Sequence, residues 1–150
     1  MYIIINTLII FIVFIIMEFI AWWSHKYIMH GILWILHKDH HIKKEIHAFE
    51  RNDIFALIFA LPSIFLILVG IKDRVVTIYF WIGLGIALYG AAYFIVHDIY
   101  IHRRIKIFSN MNYKYLTEMR LMHKRHHKSL DKENSECFGF LWVPKRFRNK

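Results

Sequence analysis

Residues 3–23 read IIINTLIIFIVFIIMEFIAWW, and residues 24–41 continue SHKYIMHGILWILHKDHH. The first stretch is almost unbroken apolar sequence, interrupted by Asn6, Thr7 and Glu18 and closing on Trp22-Trp23. At about 1.5 Å of rise per residue it is long enough, as a helix, to cross a hydrocarbon core about 30 Å thick. A Trp pair at its end suits the membrane–water interface. A signal peptide would show a basic start, a shorter core and a small-residue cleavage site, so this run is expected to be retained. The second stretch then places His25, His30, His37, His40 and His41 directly behind the span.

The same histidine pattern returns later in the chain. His97-Asp-Ile-Tyr-Ile-His102 is followed by His123-Lys-Arg-His126-His127, so HxxxxH and then HxxHH is written twice. Ten of the eleven histidines are used in this way, and chance placement would give far less than one HxxHH match. Neutral imidazole is the commonest protein ligand for first-row transition metals, and ten of them suit more than one ion. His47 stands outside the clusters and is read as a loop histidine.

Two further apolar runs lie between the histidine pairs. Residues 54–71, with a kink expected at Pro62, and residues 75–96, after a turn at Lys72-Asp73-Arg74, are read as spans. The expected fold class is all-α integral membrane, a single domain over 1–150 with about three transmembrane helices. Composition agrees: 57% hydrophobic residues and a mean hydropathy of +0.37 accompany a formal charge of +9, a pairing typical of oily spans with basic loops. Cys137 is the only cysteine, which excludes an intrachain disulfide and a cysteine-ligated iron–sulfur cluster. The basic tail offers a docking surface for an acidic protein partner, although membrane orientation already accounts for most of its charge; no nucleic-acid partner is expected.

Two spans between the histidine pairs put both pairs on one membrane face. Of the 20 Lys and Arg residues, five lie in 24–53 and thirteen in 103–150, leaving Lys72 and Arg74 in the opposite turn. The positive-inside rule therefore predicts a multi-pass protein of the cell (inner) membrane with its histidines on the cytoplasmic face.

On a helix, HxxHH gathers its three imidazoles within one 100° arc, which can serve two neighbouring metals. HxxxxH is harder to read, since five residues rotate by about 140° on an ideal α-helix. Either its two histidines serve different ions or the helix is distorted where it leaves the bilayer. On a wheel of 112–128, Tyr115, Leu116, Met119, Met122, His123, His126 and His127 share one face. Lys114, Arg120, Lys124, Arg125 and Lys128 take the other, so the histidines sit on the buried side.

Glu18 lies two turns before His25 on the same helical face. An ionisable group inside a span usually has a partner; Glu18 is read as accepting from a ligand histidine and fixing its tautomer, or as a carboxyl with a structural partner. Asp39 and Asp98 are candidates for the same supporting role, with a surface carboxylate as the other reading of Asp98. Gly83, Ala87 and Ala91 form a small-residue stripe that favours close helix packing, or alternatively leaves room for a slim lipid.

These boxes resemble the fatty acid hydroxylase/sterol desaturase superfamily of membrane di-iron enzymes. The flanking residues resemble its β-carotene 3-hydroxylase branch: His25 to His30 with Gly31, Phe49-Glu50-Arg51-Asn52-Asp53, His97-Asp98 with His102-Arg103, and Cys137-Phe138-Gly139-Phe140-Leu141 with Pro144. The likeness runs from about Glu18 to Pro144, with Ile99-Tyr100 as a departure where Gly-Leu is commoner. It implies two Fe ions held by His25, His30, His37, His40, His41, His97, His102, His123, His126 and His127, with O2 as co-substrate. It further implies hydroxylation at C3 of the β-ionone rings of β-carotene or a related carotenoid, giving β-cryptoxanthin and zeaxanthin. No G-x-G-x-x-G unit is present for a flavin or nicotinamide, so electrons are expected from a ferredoxin-type donor. Two rivals are a fatty acid or sterol hydroxylase/desaturase with the same boxes, and a membrane metal-binding or transport protein. A transporter would ordinarily place its ligands at mid-membrane rather than beyond the helix ends.

Overall fold

The structure is a computed structural model and describes residues 2–42, 49–72, 75–105, 107, 111 and 113–145. Its elements are almost all helical. Helix α1 (Tyr2–Trp23) passes directly into a π-helical segment, Ser24–Ile32, and helix α2 (Trp34–His41) follows. A short 3-10 turn, Arg51–Asp53, leads into α3 (Ile54–Gly70). Strands β1 (Ile71–Lys72) and β2 (Val75–Val76) pair antiparallel, with Ile71 opposite Val76 and Lys72 opposite Val75. Helix α4 (Ile78–Tyr93) runs into a second π segment, Phe94–Ile101, and α5 (Lys114–His126) is the last helix described.

Three of these helical stretches are long and apolar enough to cross a membrane: Tyr2–Ile32, Arg51–Gly70 and Ile78–Ile101. The three-span reading therefore holds, with shifted ends. The first helix does not stop at Trp23, because no helix breaker intervenes before Gly31, whose φ of −108° and ψ of −114° are non-helical. The third span starts at Ile78 rather than residue 75, because Val75 and Val76 pair with β1 instead of joining the helix. Asp73 and Arg74 of the expected turn lie outside the described residues.

The chain packs as two compact units. The first comprises Met1–Met17 with Ile54–Ala92, the second Glu18–Asp53 with Tyr93–Lys150. In the first unit the large apolar side chains Phe11, Ile15, Leu61, Phe65 and Leu68 are exposed. That is the reverse of a water-soluble domain and suits helices whose solvent is lipid. Contact between these helices depends on small residues. A Cβ at Gly83 would lie 2.8 Å from the Ser63 carbonyl oxygen, and one at Gly85 2.9 Å from Val13. The Ser63 hydroxyl donates to the Gly83 carbonyl at 2.8 Å, tying α3 to α4. Gly83 of the expected stripe is thus a helix-packing residue, and Gly85, which lies off the stripe, does the same against α1. Phe14 meets Tyr89 edge-on at 5.3 Å.

In the second unit Met119, Met122, Cys137 and Val143 form a small apolar core beneath α5. The face of α5 expected to be buried is the one that carries Met119, Met122, His123 and His126 inward.

This packing makes a paired prediction. Gly83→Ala should lower the unfolding free energy in detergent by about 1–3 kcal/mol, since the new methyl meets fixed backbone. Gly90→Ala, whose Cβ meets no heavy atom within 4 Å, should be neutral or stabilise by up to about 1 kcal/mol. Equal effects of the two substitutions in denaturant titrations would contradict the close α3–α4 contact.

Candidate metal centre

The site is built where two transmembrane helices change their winding. In Ser24–Ile32 and Phe94–Ile101 the backbone bonds run i→i+5, as in Leu33 N–H to Ile28 O and His102 N–H to His97 O, each 2.9 Å. A π turn stacks residues five apart, whereas an α-helix would turn them away from one another. The HxxxxH spacing is thereby resolved: the ring centres of His25 and His30 lie 5.2 Å apart, and those of His97 and His102 4.5 Å apart. Of the two readings of that spacing, local distortion is the one observed.

Helices α2 and α5 supply the rest. Nine imidazoles collect into two groups, His25, His30, His37, His41 and His126 in one, and His40, His97, His102 and His123 in the other. Within each group one ligand atom per residue lies within 4.8 Å of all the others. His127 adjoins the second group, its Nε2 being 2.8 Å from that of His123. The two HxxHH boxes therefore exchange one histidine each. His37 and His41, at i and i+4, stay with the histidines of their own half, while His40 at i+3 crosses to the other group. His126 crosses in the opposite sense, and His123 and His127 stay.

The tautomers are set by what stands behind each ring. In the first group, His25 Nδ1 donates to Phe138 O (3.0 Å), His30 Nδ1 to Lys132 O (3.1 Å), His41 Nδ1 to Ser129 O (2.9 Å) and His126 Nδ1 to Glu136 O (2.9 Å). His37 Nδ1 donates to Asn52 Oδ1 at 2.6 Å. In the second group, His40 Nδ1 donates to Glu50 Oε2 at 2.8 Å. Carbonyl and carboxylate oxygens only accept, so each Nδ1 carries the proton and each Nε2 is left with a bare lone pair.

Those Nε2 atoms converge. His25 and His37 approach to 3.1 Å, His30 and His126 to 3.2 Å, and His41 and His37 to 3.2 Å. Lone pair against lone pair at that range is repulsive, and a shared cation removes the conflict. His40 Nε2 and His97 Nδ1 are buried without a hydrogen-bond partner among the described residues. All-nitrogen donor sets of this kind suit iron, copper, nickel or zinc. The residues present fit a pair of transition-metal ions.

Protonation is not an alternative way out. Burial pushes the His37 imidazole down to about 3, and the neighbouring His41 and His30 act in the same direction. Burial also lowers His40, His41, His123 and His126.

Aromatic rings close the site. Phe140 stacks on His25 at 5.0 Å and Tyr93 on His97 at 4.6 Å, while Phe138 meets His30 edge-on at 5.1 Å. Trp34 lies against His30 and His41.

The supporting acids divide. Glu18 accepts from the backbone N–H groups of Phe140 (3.2 Å), Leu141 (3.0 Å) and Trp142 (3.1 Å) through Oε1. These bonds act on the centre one residue removed, by holding the segment whose Phe140 ring covers His25. Asp39 accepts from Arg51 N–H at 2.7 Å and so fixes the turn that carries Glu50 and Asn52. Asp98 is 8% exposed, which corrects the surface reading: Arg104 Nε lies 3.2 Å from its Oδ1, and His97 Nδ1 lies 3.6 Å from its Oδ2. His47 lies outside the described residues.

From the sequence, Glu50 and Asn52 enter only as part of the segment that carries the family likeness, with no role at the metal, and Arg104 is not singled out. The available signal was their position: Glu50 and Asn52 follow the first HxxHH box, and Arg104 follows the second HxxxxH. Arg104 also contacts Glu50 and Asp53, each at 2.9 Å. Burial pushes the Glu50 carboxyl up and the Arg104 guanidinium opposes that shift. The Ile99-Tyr100 departure is taken up by packing, with Arg120 4.0 Å over the Tyr100 ring and donating to its carbonyl.

A family model described as fatty acid hydroxylase matches residues 10–144. This chain belongs to the fatty acid hydroxylase family. It is similar to the beta-carotene hydroxylase of Pantoea ananas, 42% identical over 139 residues that make up 93% of this chain and 78% of that protein. The beta-carotene hydroxylase of Pseudescherichia vulneris is 39% identical over 94% of this chain and 78% of its own length. Beta-carotene 3-hydroxylase 2, chloroplastic, of Arabidopsis thaliana is 39% identical over 86% of this chain and 42% of its own. No solved structure matches.

For this family member the buried neutral imidazoles carry a pH signature. Their unfolded value is near 6.5 and the folded value of His37 is about 3, so between these pH values the unfolded chain binds more protons. Stability is then full above about pH 6.5 and falls as pH is lowered through this window. The unfolding midpoint of metal-free protein in detergent should drop between about pH 7.5 and pH 5. A flat or rising midpoint would contradict the buried neutral state.

Proposed function

We propose that this protein is a di-iron oxygenase that hydroxylates C3 of the β-ionone rings of β-carotene, giving β-cryptoxanthin and then zeaxanthin. The observation that carries the metal reading is the convergence of Nε2 lone pairs whose rings are each fixed by an Nδ1–H donor bond. The substrate reading rests on similarity to proteins named as beta-carotene hydroxylases along more than nine-tenths of the chain. One domain, 1–150, would contain the whole site. His25, His30, His37, His41 and His126 would hold one iron, and His40, His97, His102, His123 and His127 the other.

When bound, the iron pair supplies activation of O2 for attack on an unactivated carbon–hydrogen bond. The chain's own groups hold and shield it. Carbonyls of residues 129–138 keep the imidazole tautomers fixed, so no ligand rotates as charge changes at the centre. Phe138, Phe140, Trp34 and Tyr93 keep water from the rings, which favours oxidation of substrate over release of reactive oxygen. An apolar carotenoid would reach the site laterally from the bilayer, and a ferredoxin-type protein would deliver electrons at the cytoplasmic face.

Expressed in a bacterium that accumulates β-carotene, the chain should yield zeaxanthin through transient β-cryptoxanthin, with each hydroxyl oxygen labelled from ¹⁸O2 and not from water. Unchanged β-carotene, despite confirmed expression and a competent ferredoxin, would sink the substrate reading and leave fatty acid or sterol products to be sought in the lipid extract. Alanine at any of the ten clustered histidines should reduce hydroxylation below detection, whereas His47→Ala should retain substantial activity. Equal loss in His47→Ala would break that division. For orientation, a reporter fused after Lys150 should score as cytoplasmic and one inserted at Lys72 as external; a shared compartment would refute the three-span topology.

A further inference from the structure

We infer that the two histidine groups hold their ions unequally, with the second group the tighter, because Glu50 is a positioning residue that backs His40 with a carboxylate held in place by Arg104. The inference rests on the di-iron reading above.

The two groups differ in what stands behind them. The described Nδ1 acceptors of the first group are four backbone carbonyls and the Asn52 amide, all neutral dipoles. Among the described Nδ1 contacts of the second group, carboxylates stand behind His40 and beside His97. Glu50 Oε2 accepts from His40 Nδ1 at 2.8 Å, and the same oxygen receives Arg104 Nη2 at 2.9 Å. Arg104 also holds Asp53 through Nη1 at 2.9 Å and Asp98 through Nε at 3.2 Å. Asp98 Oδ2 in turn lies 3.6 Å from His97 Nδ1, beyond hydrogen-bond range but close enough for the carboxylate charge to act on that ring. Three carboxylates thus share one guanidinium, and the local sum is negative.

Two physical effects then act in the same direction. A carboxylate that accepts the Nδ1 proton makes Nε2 of that imidazole a stronger donor to a metal than a carbonyl does. A net negative cluster beside the group also attracts a cation more strongly than neutral dipoles do; Glu50, Asp53 and Arg104 are partly open to solvent, which screens this second effect and leaves the direct Glu50–His40 bond as the larger one. Arg104 itself is cationic and would weaken a nearby metal if it acted by charge alone. Its part is to keep three like-charged groups converged, so that Glu50 meets His40.

The test uses full-length protein loaded anaerobically with ⁵⁷Fe(II) in detergent, titrated with a ferrous chelator and followed by Mössbauer spectroscopy. Wild type should release its two irons in separate steps, each removing one quadrupole doublet. Glu50→Gln keeps an acceptor of the same shape and removes the charge, and should weaken the tighter step by about 10–100-fold while leaving the looser one nearly unchanged. Asn52→Asp places a carboxylate behind His37 in the first group and should strengthen the looser step. A merely structural role for Glu50 would instead weaken both steps together, which would overturn the inference. So would two irons leaving in a single step, or an Asn52→Asp variant whose looser step does not tighten, and this second variant decides the matter if Glu50→Gln does not fold. Wild type that holds fewer than two irons would overturn the di-iron reading along with the inference, whereas equal release of two would overturn the inference alone.

Discussion

Each buried imidazole has two nitrogens and one proton, and where that proton sits governs everything else in the histidine unit. A carbonyl or carboxylate oxygen behind Nδ1 commits the proton to that side and turns a lone pair inward. Done once, this yields a satisfied core histidine. Done for His25, His30, His37, His41 and His126 together, it aims five lone pairs at one place, with Nε2 atoms as close as 3.1 Å. Burial keeps the rings from taking up protons to relieve the repulsion, as the depressed value of His37 illustrates. The fold therefore holds an electrostatic conflict that a bound cation would relieve.

That arrangement places two demands on the backbone. The first is met by π winding at the ends of two apolar helices, which brings His25 over His30 and His97 over His102. The second is met by the segment after α5. Its carbonyls at Ser129, Lys132, Glu136 and Phe138 belong to no helix or strand and accept from imidazoles. Turning successive carbonyls inward is costly: Cys137, between two of them, sits at φ 64°, a left-handed conformation that costs a non-glycine residue about 1–2 kcal/mol. Glu18 and Tyr115 hold the segment beyond that strain, the first through backbone N–H groups of residues 140–142 and the second through the Leu141 carbonyl at 2.7 Å.

What could be read directly from the residues follows from periodicity. Three apolar runs became three long helices, and the inward face of α5 was visible because cations and histidines segregate at 3.6-residue spacing. The span ends were less legible. Val75 and Val76 continue an apolar run, and only the opposing strand shows that they pair rather than wind. The π segments leave no composition mark, since i→i+5 winding wins over i→i+4 only when tertiary contacts favour it. The carbonyl acceptors were hidden for a simpler reason: every residue has a carbonyl, so a cradle made of backbone has no side-chain signature. Glu18 illustrates the same limit. Its expense inside an apolar run signalled a partner, but the partners are backbone N–H groups more than 120 residues away.

The exchange of His40 and His126 between groups has a consequence for how the two halves depend on each other. If each HxxxxH/HxxHH pair closed on itself, either half could form a site alone. Instead each group takes one imidazole from the other half, so neither donor set is complete until both are packed together. The i, i+3, i+4 spacing makes this possible on a rigid helix. Positions i and i+4 lie about 40° apart and face one group, while i+3 lies about 60° to the other side of i and faces the other group. An HxxxH box would lack the crossing imidazole, and an HxxH box would lack the second imidazole of the helix's own group. The third histidine in HxxHH is therefore what couples the two groups into one centre.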